Sequence, residues 1–451
     1  MPTLRTWSGH HFATPQSVAR PGSAVAVQDL VRRAEGRRVR AFGALHSWSD
    51  IALTDGVAVS LDLLSGLVRV DGQRVTVHAG TRLRDLNQLL AQHGLAMPIL
   101  GSVDPQAIAG AVATGTHGSS RRHGNLASIV RGMKLVTGTG ELLEVGEHDP
   151  RLDALRVGLG ATGIVTELTL DVVPAFHLAE TATPMPVREA IARVDELSQS
   201  AEFVKLWWLP HTGQAVVFTA DRTDEPSAFS PTARWIDEQL VNRLAFRGVL
   251  TASRWFPGWT PTLNRVVGAA YFRPQRRVGR SFEVFHLAMP PVHREMEYAF
   301  GVEHTRDALT ELVDWVQAEE LRVNFIVEAR FVRADGGWMS PAHGHDVCQL
   351  GAYMANSADL PRYFAGFEQR MLALGARPHW GKEFGADGAT VLARYPKAEA
   401  WWQLVQQLDP DGVFRNRFTD RLFPATAPGN PPQANEVLPE DRSSWGGLGA
   451  V

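Results

Sequence analysis

Only one cysteine, Cys348, occurs in the 451 residues, so a disulfide framework and a cysteine-built metal site are both excluded within one chain. Long apolar runs are missing too. No stretch reaches the roughly 18 continuous apolar residues that span a bilayer, and the first ten residues lack the apolar core of a secretory signal. Neither sign of charge dominates: Lys and Arg total 45 against 48 for Asp and Glu, which gives no footprint for nucleic acid or an anionic membrane. The expectation is a cytoplasmic protein with no transmembrane segment and no nucleic-acid partner. Also absent is a Gly-x-Gly-x-x-Gly between a strand and a helix, which disfavours a Rossmann dinucleotide fold.

What is present begins with a short loop and its echo. An apolar strand, Val39-Arg40-Ala41-Phe42, runs into Gly43-Ala44-Leu45-His46-Ser47. Glycine permits close backbone approach, and successive N–H groups in such a turn make a concavity for anionic oxygens. The second segment is Gly110-Ala111-Val112-Ala113-Thr114-Gly115-Thr116-His117-Gly118. Its small residues leave room for something flat, or equally for tight helix-to-sheet packing. Upstream, Gly101-Ser102-Val103-Asp104-Pro105 sets an N-cap aspartate before an N1 proline, so a helix is expected from Pro105.

The remaining pattern reads as α+β, with hairpins mixed among helices. Residues 26–34 carry a helical stripe that Gly36 stops. Val68 and Val70 should face Val75 and Val77 across an Asp71-Gly72 turn, and Thr81 is placed to cap a helix through Leu90. Residues 133–136 and 141–145 suggest another hairpin, Asp149-Pro150 another helix start, and Gly163 leads into a strand with Ile164, Thr166, Leu168 and Leu170 on one face. Beyond Phe176 the texture changes. Val187 to Leu197 makes one helical stripe, strand-like runs follow at 204–209 and 214–220, and 282–289, 294–300, 323–332 and 347–354 read as strands of a second sheet. The Arg-, Pro- and Trp-rich stretch 221–274, with Trp235, Trp255 and Trp259, is either a lid over a pocket or a partner surface. The division expected is 1–175, 176–375, a segment 376–424 that returns to the first domain, and a loosely ordered tail 425–451.

Alternation along 323–332 places Glu328 and Arg330 side by side on one sheet face. Such a pair serves as a structural ion pair or as a pocket lining, and both roles can coexist. Glu295 and Glu297 likewise share a face, opposite Met296, Tyr298 and Phe300. Lys382 follows a glycine in Pro378-His379-Trp380-Gly381-Lys382, which leaves a cation on a loop. His343-Gly344-His345 reads as a turn and His10-His11 as terminal surface, so no metal site is expected.

Taken in order, Gly43-x-x-His46-Ser47, Thr114-Gly115-Thr116-His117-Gly118, Glu328-x-Arg330 and His379-Trp380-Gly381-Lys382 resemble the sugar-oxidising branch of the vanillyl-alcohol-oxidase flavoprotein superfamily: the aldonolactone oxidoreductases and alditol oxidases. The resemblance covers nearly the whole chain to Phe423. It implies a PCMH-type FAD-binding domain followed by a substrate (cap) domain of antiparallel sheet and helices. It implies that His46 is bonded through a ring nitrogen to the benzenoid methyl carbon of FAD, as a single tether, since no cysteine lies near the second loop. Ala41, Phe42, Gly43, Ala44, Leu45, Ser47, Gly101, Ser102, Gly110, Thr114, Gly115, Thr116, His117, Gly118, Gly163, Ile164, Val165 and His379 are the further cofactor contacts implied. Glu328, Arg330 and Glu295 would line the pocket of a polyhydroxylated substrate, and Lys382 would lie near the pyrimidine side of the flavin. Relatives carry a histidine in the strand after the acid–arginine strand where Tyr353 stands here. The activity implied is oxidation of a CH–OH group of an aldonolactone, polyol or sugar, with dioxygen, a dye, a quinone or a cytochrome as electron acceptor. Two other readings remain open: the flavin oxidase component of a two-step sugar epimerisation, and a non-catalytic sugar-binding flavoprotein.

Overall fold

Residues 3–228, 230, 232, 245–287, 290–355 and 357–423 are described by the computed structural model. The tail 425–451, Trp235 and Met289 lie outside them. After a short antiparallel ladder of Leu4–Arg5 with Phe12–Ala13 come three short parallel strands, β1 (Ser17–Ala19), β2 (Val39–Phe42) and β3 (Val57–Ser60), ordered β1-β3-β2. Helix α1 (Ala24–Arg32) covers them through Val27 and Val31, and the Ser23 hydroxyl caps it by accepting the Ala26 N–H at 3.1 Å. An antiparallel sheet follows, built from β4 (Leu67–Asp71), β5 (Arg74–His78), β6 (Val130–Val136), β7 (Leu142–Val145) and β8 (Ile164–Asp171) in the order β7-β6-β8-β5-β4. The period-two pattern of β8 buries Ile164, Thr166, Leu168 and Leu170. Helices α2 (Leu83–Gln92) and α3 (Ile108–Ala113) share its core.

Local tertiary contacts move several element boundaries. The Asp71-Gly72 hairpin forms with Val70 opposite Val75, but a bulge sets Leu67 rather than Val68 opposite Val77, and Val68 is exposed. Thr81 does not cap α2; its hydroxyl donates to His78 O at 2.7 Å and accepts the Gly66 N–H at 2.9 Å. The helix expected from Pro105 begins at Ile108, because Ala107 is held in a bridge to Arg82. The one after Asp149 begins at Leu152, since the Asp149 carboxylate is occupied with Arg151. The stripe from Val187 to Leu197 breaks at Arg193 into two short helices.

The second half is an antiparallel eight-stranded sheet: β9 (His177–Pro186), β10 (Phe203–Trp208), β11 (Gln214–Thr223), β12 (Gln275–Arg280), β13 (Arg294–Gly301), β14 (Val327–Val332), β15 (Val347–Met354) and β16 (Arg377–Pro378), in the order β12-β9-β11-β10-β14-β15-β13-β16. Residues 282–287, the described part of the expected strand 282–289, are not one of its strands. Ser281–Phe285 is a helix, set by the Glu283 carboxylate accepting the Arg280 N–H at 2.9 Å. Nor does β14 start at Val323: Asn324 donates to Ser253 Oγ and accepts from the Ala355 N–H, which holds that part as a loop. Helix α4 (Thr260–Tyr271) rises from the 221–274 stretch and lies over one face of the sheet. The opposite face is sealed by α5 (Thr305–Ala318) and α6 (Leu360–Ala373), which pack Leu312, Val313, Phe364 and Phe367 against Trp208, Tyr298, Phe300, Ala329 and Leu350. Each such side chain contributes about 1.5–3 kcal/mol on burial. The sheet thus has one dry face and one face free for chemistry. Among the described residues no helix is long and apolar enough to cross a membrane.

Candidate active site

Residues directly opposed across antiparallel strands project to the same side. Glu297 on β13 pairs with Gly351 on β15, Gly351 with Glu328 on β14, and Glu328 with Trp207 on β10. Glu295, Tyr353 and Arg330 occupy the neighbouring rows of the same face. Three donors converge on Glu328: Trp207 Nε1 to Oε1 at 2.7 Å, Tyr353 OH to Oε2 at 2.8 Å and Arg330 Nη2 to Oε1 at 3.0 Å. Arg330 Nη2 also donates to Ser102 Oγ at 2.6 Å. Burial lifts the Tyr353 phenol well above its ordinary value, so it donates as a neutral hydroxyl. For Arg330 burial works against the charge, but Glu328 and its neighbours outweigh it, and the guanidinium stays a cation.

A second pair sits beside the first. Lys382 Nζ lies 2.5 Å from Glu295 Oε2 and 3.9 Å from the centre of the Trp48 ring. Glu295 is buried; desolvation alone would raise it, yet Lys382 and His293 hold it below the usual carboxylate range. The loop bearing Lys382 is tied to the N-terminal half by two bonds: the Trp48 N–H donates to Gly381 O at 2.7 Å and Ser49 Oγ to Trp380 O at 2.9 Å. Between these groups stands His46, boxed by Trp7 and Trp48 at ring separations of 5.1 and 5.7 Å. Its Nε2 is buried without a hydrogen-bond partner among the described residues. Burial first, then Lys382, lowers its pKa to about 4, so the ring is neutral with a free lone pair near pH 7.

The first loop has the shape its sequence suggested. Leu45 adopts φ +52°, fixed by the Trp7 N–H donating to Leu45 O at 2.7 Å, and a Cβ at Gly43 would come within 2.8 Å of Ala107 Cβ. Among the described residues no protein acceptor takes the N–H of Ala44, Leu45, His46 or Ser47. Unspent amides and an orphaned imidazole fit a flavin dinucleotide, whose pyrophosphate such amides could hold. The second loop behaves differently. The amides of Thr114, Gly115 and Thr116 return to carbonyls of α3, so that turn offers walls rather than a backbone cradle.

Folding also gathers His117, Glu297 and His379, whose ligand atoms lie within 4.8 Å of one another. No sequence spacing revealed this set. His117 Nδ1 donates to Gly118 O at 2.8 Å, and its Nε2 lies 3.3 Å from Glu297 Oε1. His379 Nδ1 accepts the Gly381 N–H at 3.0 Å.

These groups open onto one cavity of about 400 Å³. Of the residues singled out in the sequence, His46, Ser47, Gly101, Ser102, Thr114, Thr116, His117, Glu295, Glu328, Arg330, His379 and Lys382 line it. Ala41, Phe42, Gly43, Ala44, Leu45, Gly110, Gly115, Gly118, Gly163, Ile164 and Val165 do not. Packing accounts for two of them: a Cβ at Gly118 would meet Leu100 O at 2.5 Å, and one at Gly163, with φ +144°, would meet Leu135 at the same distance. Trp207, Trp48, Glu297 and Asn324 line the cavity without having been proposed as site residues. Trp207 owes its place to a strand pairing that no local motif reports.

Comparison with known proteins agrees with this arrangement. Residues 15–146 match the FAD binding domain family and residues 168–422 match the D-arabinono-1,4-lactone oxidase family. The chain is 34% identical to L-gulono-1,4-lactone dehydrogenase of Mycobacterium tuberculosis, covering 94% of this chain and 99% of that one. It is 32% identical to L-gulonolactone oxidase of Scyliorhinus torazame (93% and 98% covered) and 32% identical to alditol oxidase of a Streptomyces species (93% and 99% covered). Among solved structures, cholesterol oxidase from Brevibacterium sterolicum superposes with a TM-score of 0.80 at 19% identity, over 94% of this chain and 96% of that one, a likeness of fold. With both halves matched and relatives aligned over nearly their full length, the chain belongs to the D-arabinono-1,4-lactone oxidase family of FAD-dependent oxidoreductases.

Proposed function

We propose that this protein oxidises a CH–OH carbon of a sugar-derived molecule, an aldonolactone, an alditol or an aldose, with His46 as the single covalent anchor of its FAD. When bound, the flavin supplies the two-electron acceptor for the hydride leaving that carbon. The remaining work falls to the chain. Residues 1–175 carry the cofactor, 176–375 the substrate, and 376–424 return Lys382 to the site.

The observation that carries this reading is the environment of Glu328. A carboxylate offers about four lone-pair directions. Three donors occupy Glu328, and the remaining direction is available to a substrate hydroxyl inside the cavity. Arg330 and Ser102 add a fixed donor and a hydroxyl for neighbouring oxygens, so the site orients a polyhydroxylated molecule rather than an isolated alcohol. Lys382 places a positive charge where negative charge develops as electrons arrive, a form of electrostatic preorganisation. The hydroxyl proton passes to a pocket group or water. Dioxygen, a dye, a quinone or a cytochrome then takes the electrons.

Two measurements test this. Protein expressed with ample riboflavin and precipitated with acid should keep its yellow colour in the pellet, and His46→Ala should release it to the supernatant. Anaerobic addition of aldonolactones, alditols or aldoses should bleach the flavin. A colourless protein, or one whose flavin no such compound reduces, overturns the assignment.

A further inference from the structure

The cavity changes character beyond Glu328. The loops of the first domain and the returning C-terminal segment meet the sheet at β13, where His117 faces Glu297, Lys382 pairs with Glu295 and the His379 N–H donates to Glu297 O at 2.9 Å, and also at one end of β14 and β10, where Ser102 meets Arg330 and Ser119 Oγ donates to Val204 O. In the other direction the cavity continues over β10 and β11, one to two strand spacings of ~4.8 Å from the Glu328 strand. Its walls there come from the second domain alone: Trp207, Leu209 and Phe218 below, Ile326 beside them, and Val267 and Phe272 from the α4 region above.

Three polar side chains bordering this annex are already engaged, and Gln275 stands exposed at its edge. Trp207 Nε1 is bound to Glu328, and the Asn264 amide donates to Pro210 O and Val323 O, both at 2.9 Å. Glu180, buried at the far wall, is matched by Lys205 at 3.4 Å and by Arg277. A hydroxyl placed among these side chains would give up its water and find few partners, at a cost of roughly tenfold in affinity. A methylene group there gains by the same argument.

From this lining we infer that the physiological substrate is amphipathic: a polyhydroxylated end held at Glu328 and Arg330, and an alkyl, acyl or aryl substituent seated between α4 and the β10–β11 floor. The inference rests on the proposed function and narrows it. A bare aldonolactone or alditol leaves the annex empty. Its ether or ester with a medium chain fills it.

The test uses the holoprotein and an alditol or aldonolactone carrying terminal O-methyl, O-butyl, O-hexyl and O-octyl groups, read by anaerobic flavin bleaching and, independently of turnover, by calorimetric binding. Both kcat/KM and affinity should rise roughly threefold per methylene over the first several carbons. Val267→Trp, which fills the annex, should flatten that rise. If plain sugars bleach the flavin while the ethers react and bind no better, the inference falls and the proposed function stands. If affinity climbs with chain length but nothing bleaches the flavin, the annex stands and the oxidoreductase reading falls. If no compound of the series binds, both fall.

Discussion

The ring of Tyr353 lies across Gly351, so that a Cβ built on the glycine would come within 2.8 Å of Tyr353 Cε2. Gly351 stands in register between Glu297 and Glu328, and the missing side chain lets the phenol reach over it to Glu328. The same ring is stacked on Phe325, at an interplanar angle of 15°. Gly351→Ala should therefore displace the hydroxyl without unfolding the strand. Steady-state kinetics should show kcat/KM on a sugar substrate reduced on the order of tenfold, with the thermal midpoint nearly unchanged.

Tyr353→Phe and Trp207→Phe each remove one donor from the buried Glu328 carboxylate. Each should cost about 1–3 kcal/mol in kcat/KM. Because both donors serve one carboxylate, the double variant should depart from additivity, and a double-mutant cycle on flavin reduction rates measures that coupling. Strict additivity would mean that the two act through separate groups.

Lys382→Met leaves Glu295 buried without its cation. Removing one partner of a buried pair costs about 3–5 kcal/mol, whereas removing both charges costs much less. Thermal unfolding should show a lowered midpoint for Lys382→Met and recovery in Lys382→Met/Glu295→Gln. Flavin reduction should stay slow in both, since neither restores the positive charge.

Acid should destabilise the fold partly through His379, whose pKa burial lowers from 6.5 to about 3. Above pH 6.5 the ring is neutral in both states. Between about pH 6.5 and 3 the unfolded chain binds a proton that the folded one refuses, so stability falls as pH drops, by on the order of 5 kcal/mol over that window. His379→Gln keeps an acceptor for the Gly381 N–H, and its denaturant midpoint should decline less steeply over the same range.

Local signals in the sequence located much of this architecture. The Asp71-Gly72 hairpin, the alternation of β8 and the Gly43–Ser47 loop are where backbone chemistry alone dictates a shape, and they stand with small shifts of register. Alternation also put Glu328 with Arg330 and Glu295 with Glu297 on one face, because the rule needs nothing beyond the strand itself. What stayed hidden depends on partners distant in sequence. Trp207 meets Glu328 only after β10 pairs with β14, and His117 meets Glu297 only once the two halves dock. The helix at Ser281–Phe285 reads as a strand until Glu283 is seen to cap it. The 221–274 stretch resisted because its described apolar residues divide between cavity wall and solvent: Val267 lines the annex while Trp255 and Trp259 are exposed.

Ser49 and Trp380, joined by one hydrogen bond, are 331 positions apart, and the strand that follows β13 at the sheet edge is β16. During synthesis the His46 loop must therefore wait, open on one side, until almost the entire chain has left the ribosome. With His46 as the proposed anchor, a product ending before Arg377 is expected to emerge without colour however well its first domain folds.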